Sequence, residues 1–266
     1  MTLFVTITVL VAGWFLWRYL QDKKDKEVLP LPTSYPQLLQ KHVAYYQSLP
    51  EDKKKLFENR VSYFLSHVTI DGVGTPVDDL DKVLVASSAI IPIFGFADWY
   101  YPLTNVLLYP DRFNTDYQTT GDERNILGMV GEGGALQSTM VLSKPALQEG
   151  FANVTSKGNT GIHEFVHLLD KADGATDGLP ENLLEKDHVK PWLQLIHKSI
   201  HDIKANHSDI NPYGITNEAE FFAVVSEYFF KRPDLLQEKH PELFVRLEEI
   251  FHQNPLEADK AIEPTD

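Results

Sequence analysis

The sequence predicts an α+β fold, with a small mixed sheet in the N-terminal half and a helical C-terminal half. Two observations support this. Short runs bounded by glycine or proline, "VTIDG" (68–72), "NVLLYP" (105–110) and "ALQSTMVLS" (135–143), are typical of strands. After residue 160, apolar residues instead recur at intervals of three and four, which indicates amphipathic helices.

The composition narrows the class of protein. With 266 residues and 43% hydrophobic content, the chain can form one domain with a substantial core. The formal net charge of -14 argues against a nucleic-acid partner, because phosphate groups would be repelled. The chain contains no cysteine, so disulfides and thiolate ligands are excluded and any metal must be bound by His, Asp or Glu.

The N-terminus carries an apolar segment, residues 2–20, without a charge before Arg18. It is long enough to cross a bilayer core of roughly 30 Å, and Trp14 and Trp17 lie near its end as interfacial aromatics do. We predict a transmembrane anchor at 1–20. A cleaved signal peptide or a buried helix is the alternative. The lysines that follow predict a single-pass inner-membrane protein whose main domain is cytoplasmic.

The remaining chain divides into a linker, a domain and a tail. The polar, proline-spaced segment 21–37 predicts a linker, residues 38–256 a single domain, and residues 257–266 a polar tail. A helix is expected to open near Pro76, where acidic residues complement its positive end. Further helices are predicted at 51–68, around residues 161–170, and at 191–205, 217–230 and 241–252.

The stretch "GIHEFVHLLD" (161–170) contains His163 and His167, four residues apart, with Glu164 next to the first. Residues four apart lie on one face of a helix, so both imidazoles can bind one ion. Glu164 is then angled towards a water on that ion, and zinc lowers the pKa of such a water to about 7. Such spacing also occurs by chance, but Asn159 can cap the helix and favours the metal-binding interpretation.

Asp170 lies three residues after His167 and seven after His163, so it shares their helix face. The helix dipole disfavours a carboxylate near a C-terminus. We interpret Asp170 as an acceptor for the second ring nitrogen of a ligand imidazole, a contact that orients metal ligands. A solvated aspartate at a helix that stops at Gly174 is the alternative.

A catalytic zinc also needs a third protein ligand and one open position. The helix predicted at 217–230 offers Glu220 and Glu227 on one face and Glu218 on another. Glu220 stands among large apolar residues, and a buried carboxylate needs a cation or hydrogen-bond donors. Asn217 and Glu220 also have the spacing of a capping box, which would satisfy Glu220 with backbone donors. The pattern leaves both interpretations open.

Together these motifs resemble a known family. "HEFVHLLD", followed roughly 50 residues later by "YGITNEAEFFAVVSEYFF", resembles zinc peptidases of the Mlc titration factor A family. The catalytic half of that family is similar to the zinc domain of anthrax lethal factor. "NVLLYPDRF", "GMVGEGGALQSTMVLS" and "LFVRLEEIFHQNP" extend the resemblance over most of the chain. It implies a zincin-like fold and a gluzincin-type zinc peptidase with aminopeptidase-like activity. The predicted membrane anchor departs from this soluble family.

Residue by residue, the resemblance implies that Zn²⁺ is bound by His163, His167 and Glu220. It also implies that Glu164 is the general base and that Tyr213 stabilises the oxyanion. The second role suits a phenol, because a phenol can donate a hydrogen bond where negative charge develops.

The expected substrate is a peptide or protein. The strand "GGALQSTMVLS" (133–143) is predicted to be a sheet edge to which an extended peptide can add, with an internal strand as the alternative. A second function stays open, in which this chain is a regulatory binding protein. It would then use a peptidase fold to sequester a transcriptional repressor or another partner. Glu164 and Tyr213 favour the enzyme, because a pure binding protein has no use for either.

Overall fold

Helices dominate the part of the chain that the computed structural model describes, which comprises residues 30–119, 125–131 and 138–257. Its elements are, in order, α1 (Tyr35–His42), α2 (Ala44–Ser48), α3 (Glu51–His67), β1 (Thr69–Gly72), α4 (Asp79–Ile93), β2 (Asn105–Tyr109), β3 (Gly128–Val130), β4 (Thr139–Ser143), α5 (Lys144–Ala152), α6 (Thr160–Asp170), α7 (Lys186–Lys204), α8 (Glu218–Lys231), α9 (Pro233–Lys239) and α10 (Pro241–Phe251). Short 3-10 turns occupy Lys171–Asp173 and Pro212–Ile215.

The strands form one mixed sheet in the order β1-β2-β4-β3. β1, β2 and β4 are parallel, with Val106 of β2 opposite Ile70 and Met140, whereas β3 runs antiparallel to β4. Val106 and Met140 are fully buried in the same core as the helices. The predicted mixed α+β fold is thereby confirmed, while the zincin-like assignment within that class stays a prediction.

The position of β4 corrects one prediction about the sheet. The sequence predicts an edge strand at 133–143, but β4 lies between β2 and β3 and is buried along its whole length. Residues 132–137 lie outside the described residues. A continuous apolar run such as "TMVLS" is typical of a strand that is covered on both faces, which favours the internal position. On that side of the described sheet the edge strand is β3.

Helices α6 and α8 both begin at an asparagine cap. The side chain of Asn159 accepts a hydrogen bond from the backbone N–H of Ile162 at 3.1 Å, which confirms the cap predicted for the motif helix. The side chain of Asn217 accepts one from the N–H of Glu220 at 2.8 Å. Each such cap stabilises a helix by about 1 kcal/mol. Both helices are largely buried, so apolar packing supplies most of their stability.

Helix α6 approaches α4 closely at Gly161. A Cβ atom at this position would lie 2.1 Å from Oγ of Ser88 and 3.0 Å from a methyl group of Leu147, so a larger residue does not fit. One turn further along α6, the ring of Phe165 packs against Phe64 of α3, with ring centroids 5.8 Å apart. These contacts hold the motif helix firmly against the core.

The described residues contain no helix that is both long and apolar enough to span a membrane. This finding contradicts the predicted location as a single-pass inner-membrane protein and the membrane as a partner, and we correct both predictions. Both predictions were based on the apolar segment 1–20, which lies outside the described residues. The domain boundaries stay predictions.

Candidate metal centre

Three side chains bring potential metal-ligand atoms together where α6 packs against α8. Nε2 of His163 lies 3.0 Å from Oε2 of Glu220 and 3.1 Å from Nε2 of His167. The remaining distance, between Nε2 of His167 and Oε2 of Glu220, is 3.6 Å. One face of α6 therefore supplies two imidazoles, and the first turn of α8 supplies a carboxylate that meets both.

These spacings fit a tetrahedral zinc ion. Nitrogen and oxygen ligands lie about 2.0–2.2 Å from zinc, so two ligands of a tetrahedral ion are roughly 3.3 Å apart. The observed separations of 3.0, 3.1 and 3.6 Å bracket that value. Two imidazoles and one carboxylate are also a donor set that suits zinc in proteins without a cysteine ligand.

Glu220 takes part in the helix cap through its backbone and in the ligand group through its side chain. Its N–H donates to Asn217, as the capping interpretation predicts, but its carboxylate faces the imidazoles. Burial raises the pKa of Glu220, yet hydrogen bonds with His163 and His167 outweigh burial and lower it to about 2. The carboxylate is therefore charged at neutral pH, as a metal ligand must be.

Glu164 lies beside the ligand group and is only 6% exposed. Its carboxylate rests against strand β3, because a Cβ atom added to Gly128 would lie 2.5 Å from its Oε1. Burial raises the pKa of Glu164, and the charges of His163 and His167 partly oppose this. A carboxylate with a raised pKa is a better proton acceptor near neutral pH than an ordinary glutamate.

Tyr213 lies on the 3-10 turn that precedes α8. It is 55% exposed, and its ring centroid is 6.1 Å from that of His163. Partial burial and the negative charges of Glu220 and Glu164 raise the pKa of the phenol, so it stays protonated and able to donate a hydrogen bond. The side chain of Asn211 holds the turn by accepting the N–H of Tyr213 at 3.0 Å.

Glu227 contacts a candidate ligand in a way that the sequence did not reveal. Its Oε1 lies 2.7 Å from Nδ1 of His163, and its Oε2 accepts the backbone N–H of Asn159. Burial lowers the pKa of His163, but the charge of Glu227 and hydrogen bonds with Glu220 and Glu227 raise it well above its ordinary value. The sequence did contain one indication of this contact: Glu227 lies seven residues after Glu220, which puts both acids on the same helix face.

Asp170 ends the motif helix and is fully buried. Its Oδ2 accepts the N–H of Gly178 at 2.8 Å, and burial raises the pKa of its carboxyl group to about 6. Neither its Oδ1 nor the Nδ1 of His167 has a hydrogen-bond partner within the described ranges. Asp170 therefore lies at the end of α6, the helix that carries both histidines, but the expected hydrogen bond to an imidazole is not formed.

A cleft of about 730 Å³ is lined by His163, Glu164, Tyr213 and Glu227. Gly128 of β3 also lines this cleft, as do Ala146 and Glu149 of α5. Its volume lies within the range of small-molecule and cofactor sites. One candidate ligand, His163, and the neighbouring Glu164 therefore border a cavity of the size that such sites have.

Comparison with known proteins points to a metallopeptidase family. Residues 17–252 match the family described as glucose-regulated metallo-peptidase M90. An uncharacterized protein of Synechocystis sp. is 26% identical over 96% of both chains. Mlc titration factor A of Escherichia fergusonii is 30% identical over 69% of this chain and 72% of its own length. Mlc titration factor A of Pectobacterium atrosepticum is 31% identical, over 57% and 60% respectively.

The family match covers most of the chain, and the metallopeptidase class that it names implies a bound metal. The resemblance to the Mlc titration factor A proteins is confirmed by relatives at about 30% identity. The chain therefore belongs to the M90 family of glucose-regulated metallo-peptidases.

Proposed function

We propose that this protein is a zinc-dependent peptidase of the gluzincin type. His163, His167 and Glu220 would hold the metal, and the observation that carries the proposal is the 3.0–3.6 Å separation of their ligand atoms. Zinc, when bound, acts as a Lewis acid towards a carbonyl group and lowers the pKa of a water to about 7.

The remaining chemistry is assigned to two side chains. Glu164 accepts a proton from the attacking water and passes it to the leaving amine, and its burial and raised pKa support this role. Tyr213 donates a hydrogen bond to the carbonyl oxygen as negative charge develops there. Support for Tyr213 comes from its protonated phenol, which lies close enough to Glu220 and Glu164 for their charges to raise its pKa.

Two further acids are proposed to orient the imidazoles. Glu227 accepts the Nδ1 proton of His163, which leaves Nε2 of that ring unprotonated for the metal. Asp170 is proposed to accept the Nδ1 proton of His167. Support comes from Oδ1 of Asp170 and Nδ1 of His167, which are both buried on neighbouring turns of α6 without a hydrogen-bond partner among the described residues. A ligand imidazole needs such an acceptor to fix its tautomer.

The substrate is proposed to be a peptide that lies along β3. This strand is the edge of the described sheet on the side of Glu164, and an extended peptide can pair with a free edge through main-chain hydrogen bonds. Pairing there would carry a peptide bond past Glu164 and the proposed metal. An aminopeptidase-like preference for the first peptide bond is part of the proposal.

A hydrolysis assay with metal exchange tests this function. The chain is stripped with a chelator, reloaded with zinc and incubated with peptides that carry either a free or an acetylated N-terminus. We expect that only the zinc-loaded protein cleaves, and that only the peptides with a free N-terminus are cleaved. Cleavage that continues after complete removal of the metal would contradict the zinc mechanism. Equal cleavage of the acetylated peptides would contradict the aminopeptidase-like preference.

A second candidate function is the sequestration of a regulatory protein, which the name Mlc titration factor A of the relatives supports. Titration calorimetry of purified Mlc with the Glu164→Gln variant separates this function from catalysis. Binding that persists when turnover is lost would show that one chain performs both roles. No heat of binding at either of two well-separated temperatures would rule out Mlc as a partner, because apolar burial makes the enthalpy of binding depend on temperature.

Gly128→Ala is expected to lower kcat by about 100-fold, because the added methyl group would displace the carboxylate of Glu164. Zinc content should change little, since the substitution touches none of the three ligand side chains, while the melting temperature should fall modestly because the methyl group crowds the buried Glu164. Steady-state kinetics with metal analysis on the same samples checks this. An unchanged kcat would show that the position of Glu164 against β3 is irrelevant to turnover.

Glu227→Gln is expected to weaken zinc binding by about 10- to 100-fold, because the uncharged amide holds the His163 ring less firmly. Competition with a chromophoric chelator measures the dissociation constant. Glu218→Gln is the matched control, since Glu218 lies on the same helix but pairs with the exposed His197. Equal zinc affinity in both variants would remove Glu227 from the metal site.

A further inference from the structure

Asp209 binds four side chains at once, in the segment that leads to the 3-10 turn. Its Oδ2 accepts hydrogen bonds from Nζ of Lys157 at 2.7 Å, Nζ of Lys239 at 2.9 Å and the hydroxyl of Tyr228 at 3.1 Å. Its Oδ1 lies 2.7 Å from Nε2 of His240. Lys157 also donates to the backbone carbonyl of Asp209 at 2.6 Å. Side chain and backbone of Asp209 are therefore held together.

This cluster is more than a surface ion pair. Burial by itself would raise the pKa of Asp209, but hydrogen bonds from Lys157, His240 and Lys239 hold it well below its ordinary value. The ammonium of Lys157 lies 4.7 Å from the ring centroid of Tyr228, which adds a cation–π contact. A network of several partners fixes geometry where one exposed pair contributes little.

Two of the four partners of Asp209, Lys157 and Tyr228, lie on segments that support the candidate metal site. Lys157 lies two residues before Asn159, the cap of α6 whose N–H is bonded to Glu227. Tyr228 directly follows Glu227 on α8. Asp209 therefore connects its own segment to both of the helices that carry the ligand atoms.

The segment that Asp209 anchors carries Tyr213. Between them, Ile210 is buried and Asn211 accepts the N–H of Tyr213, so the chain from the cluster to the turn is fixed. The tyrosine side chain itself is 55% exposed. The position of its hydroxyl therefore depends on how firmly the backbone of the turn is held.

We propose that Asp209 is a positioning residue, which fixes the turn of Tyr213 against the two metal-site helices. The catalytic part of this inference rests on the proposed function, in which Tyr213 donates to the oxyanion. The structural part does not, because it concerns only the mobility of the turn. The two parts can be tested separately on the full chain.

Hydrogen–deuterium exchange of the zinc-loaded full chain tests the structural part. Asp209→Asn is expected to accelerate exchange in residues 209–216 and to leave 160–170 unchanged. Glu242→Gln is the matched control, since it breaks an exposed ion pair with Lys198 and should alter neither segment. Unchanged exchange in 209–216, or an equal rise in 160–170, would overturn the inference. Lys239→Gln removes one donor only and gives the same test, should Asp209→Asn fail to fold.

A double-mutant cycle tests the catalytic part. Asp209→Asn is expected to lower kcat by about tenfold with little change in KM, because Tyr213 is then misplaced. In a Tyr213→Phe background the same substitution should lower kcat no further. An equal loss in both backgrounds would show a merely structural role and overturn the positioning role. Absence of any wild-type turnover would defeat the proposed function, while the exchange result still decides the structural part.

Discussion

Glu164→Gln is expected to lower kcat by about 10³-fold and to leave zinc bound. Glutamine has nearly the same shape but cannot accept the proton of the attacking water. The Glu164 side chain is only 6% exposed, so bulk water has little access to its position and cannot readily replace the lost base. Turnover at saturating peptide, measured with the zinc content of the same preparation, checks both parts of the expectation.

Two outcomes would contradict the role of Glu164. Turnover that survives the substitution would show that another group takes the proton. Loss of zinc together with turnover would show that Glu164 is a ligand rather than a base. Glu218→Gln is the control for general effects of removing an acid near this site, and it should keep its kcat, because Glu218 faces His197.

Glu220→Ala is expected to abolish turnover and to weaken zinc binding by more than the roughly 10–100-fold expected for residues that only orient a ligand. The substitution removes one of three donors and the negative charge that balances the ion. Two imidazoles four residues apart on α6 would remain as a weaker site. Dialysis against zinc-free buffer, followed by metal analysis, measures the loss.

Glu218→Ala is the matched control for Glu220→Ala, two residues away on the same helix. It should retain one zinc per chain after the same dialysis. If Glu220→Ala also retains one zinc, the third ligand is a different residue. Glu227, which already contacts Nδ1 of His163, would then be the candidate.

Local rules explain why much of the site could be predicted from the sequence. Residues four apart on a helix share a face whatever the fold, so the pairing of His163 and His167 followed from spacing alone. Both asparagine caps were readable for the same reason, since a cap involves only neighbours in the chain. The helix predicted at 217–230 is observed one residue later, as Glu218–Lys231.

What could not be predicted depends on contacts between distant segments. Glu227 meets His163 because α8 crosses α6 at one particular angle, and spacing along α8 does not determine that angle. Asp170 faces Gly178 because the chain folds back after the motif helix. The internal position of β4 depends on strand order, and Asp209 bonds Lys157, which lies 52 positions earlier in the chain.

The central claim is that one zinc ion is bound by His163, His167 and Glu220. Anomalous diffraction at the zinc edge, from crystals of the zinc-loaded protein, tests it most directly. We expect one peak about 2.0–2.2 Å from Nε2 of each histidine and from a carboxylate oxygen of Glu220. A peak at any other set of side chains, or no peak between these three in crystals shown to contain zinc, would contradict it.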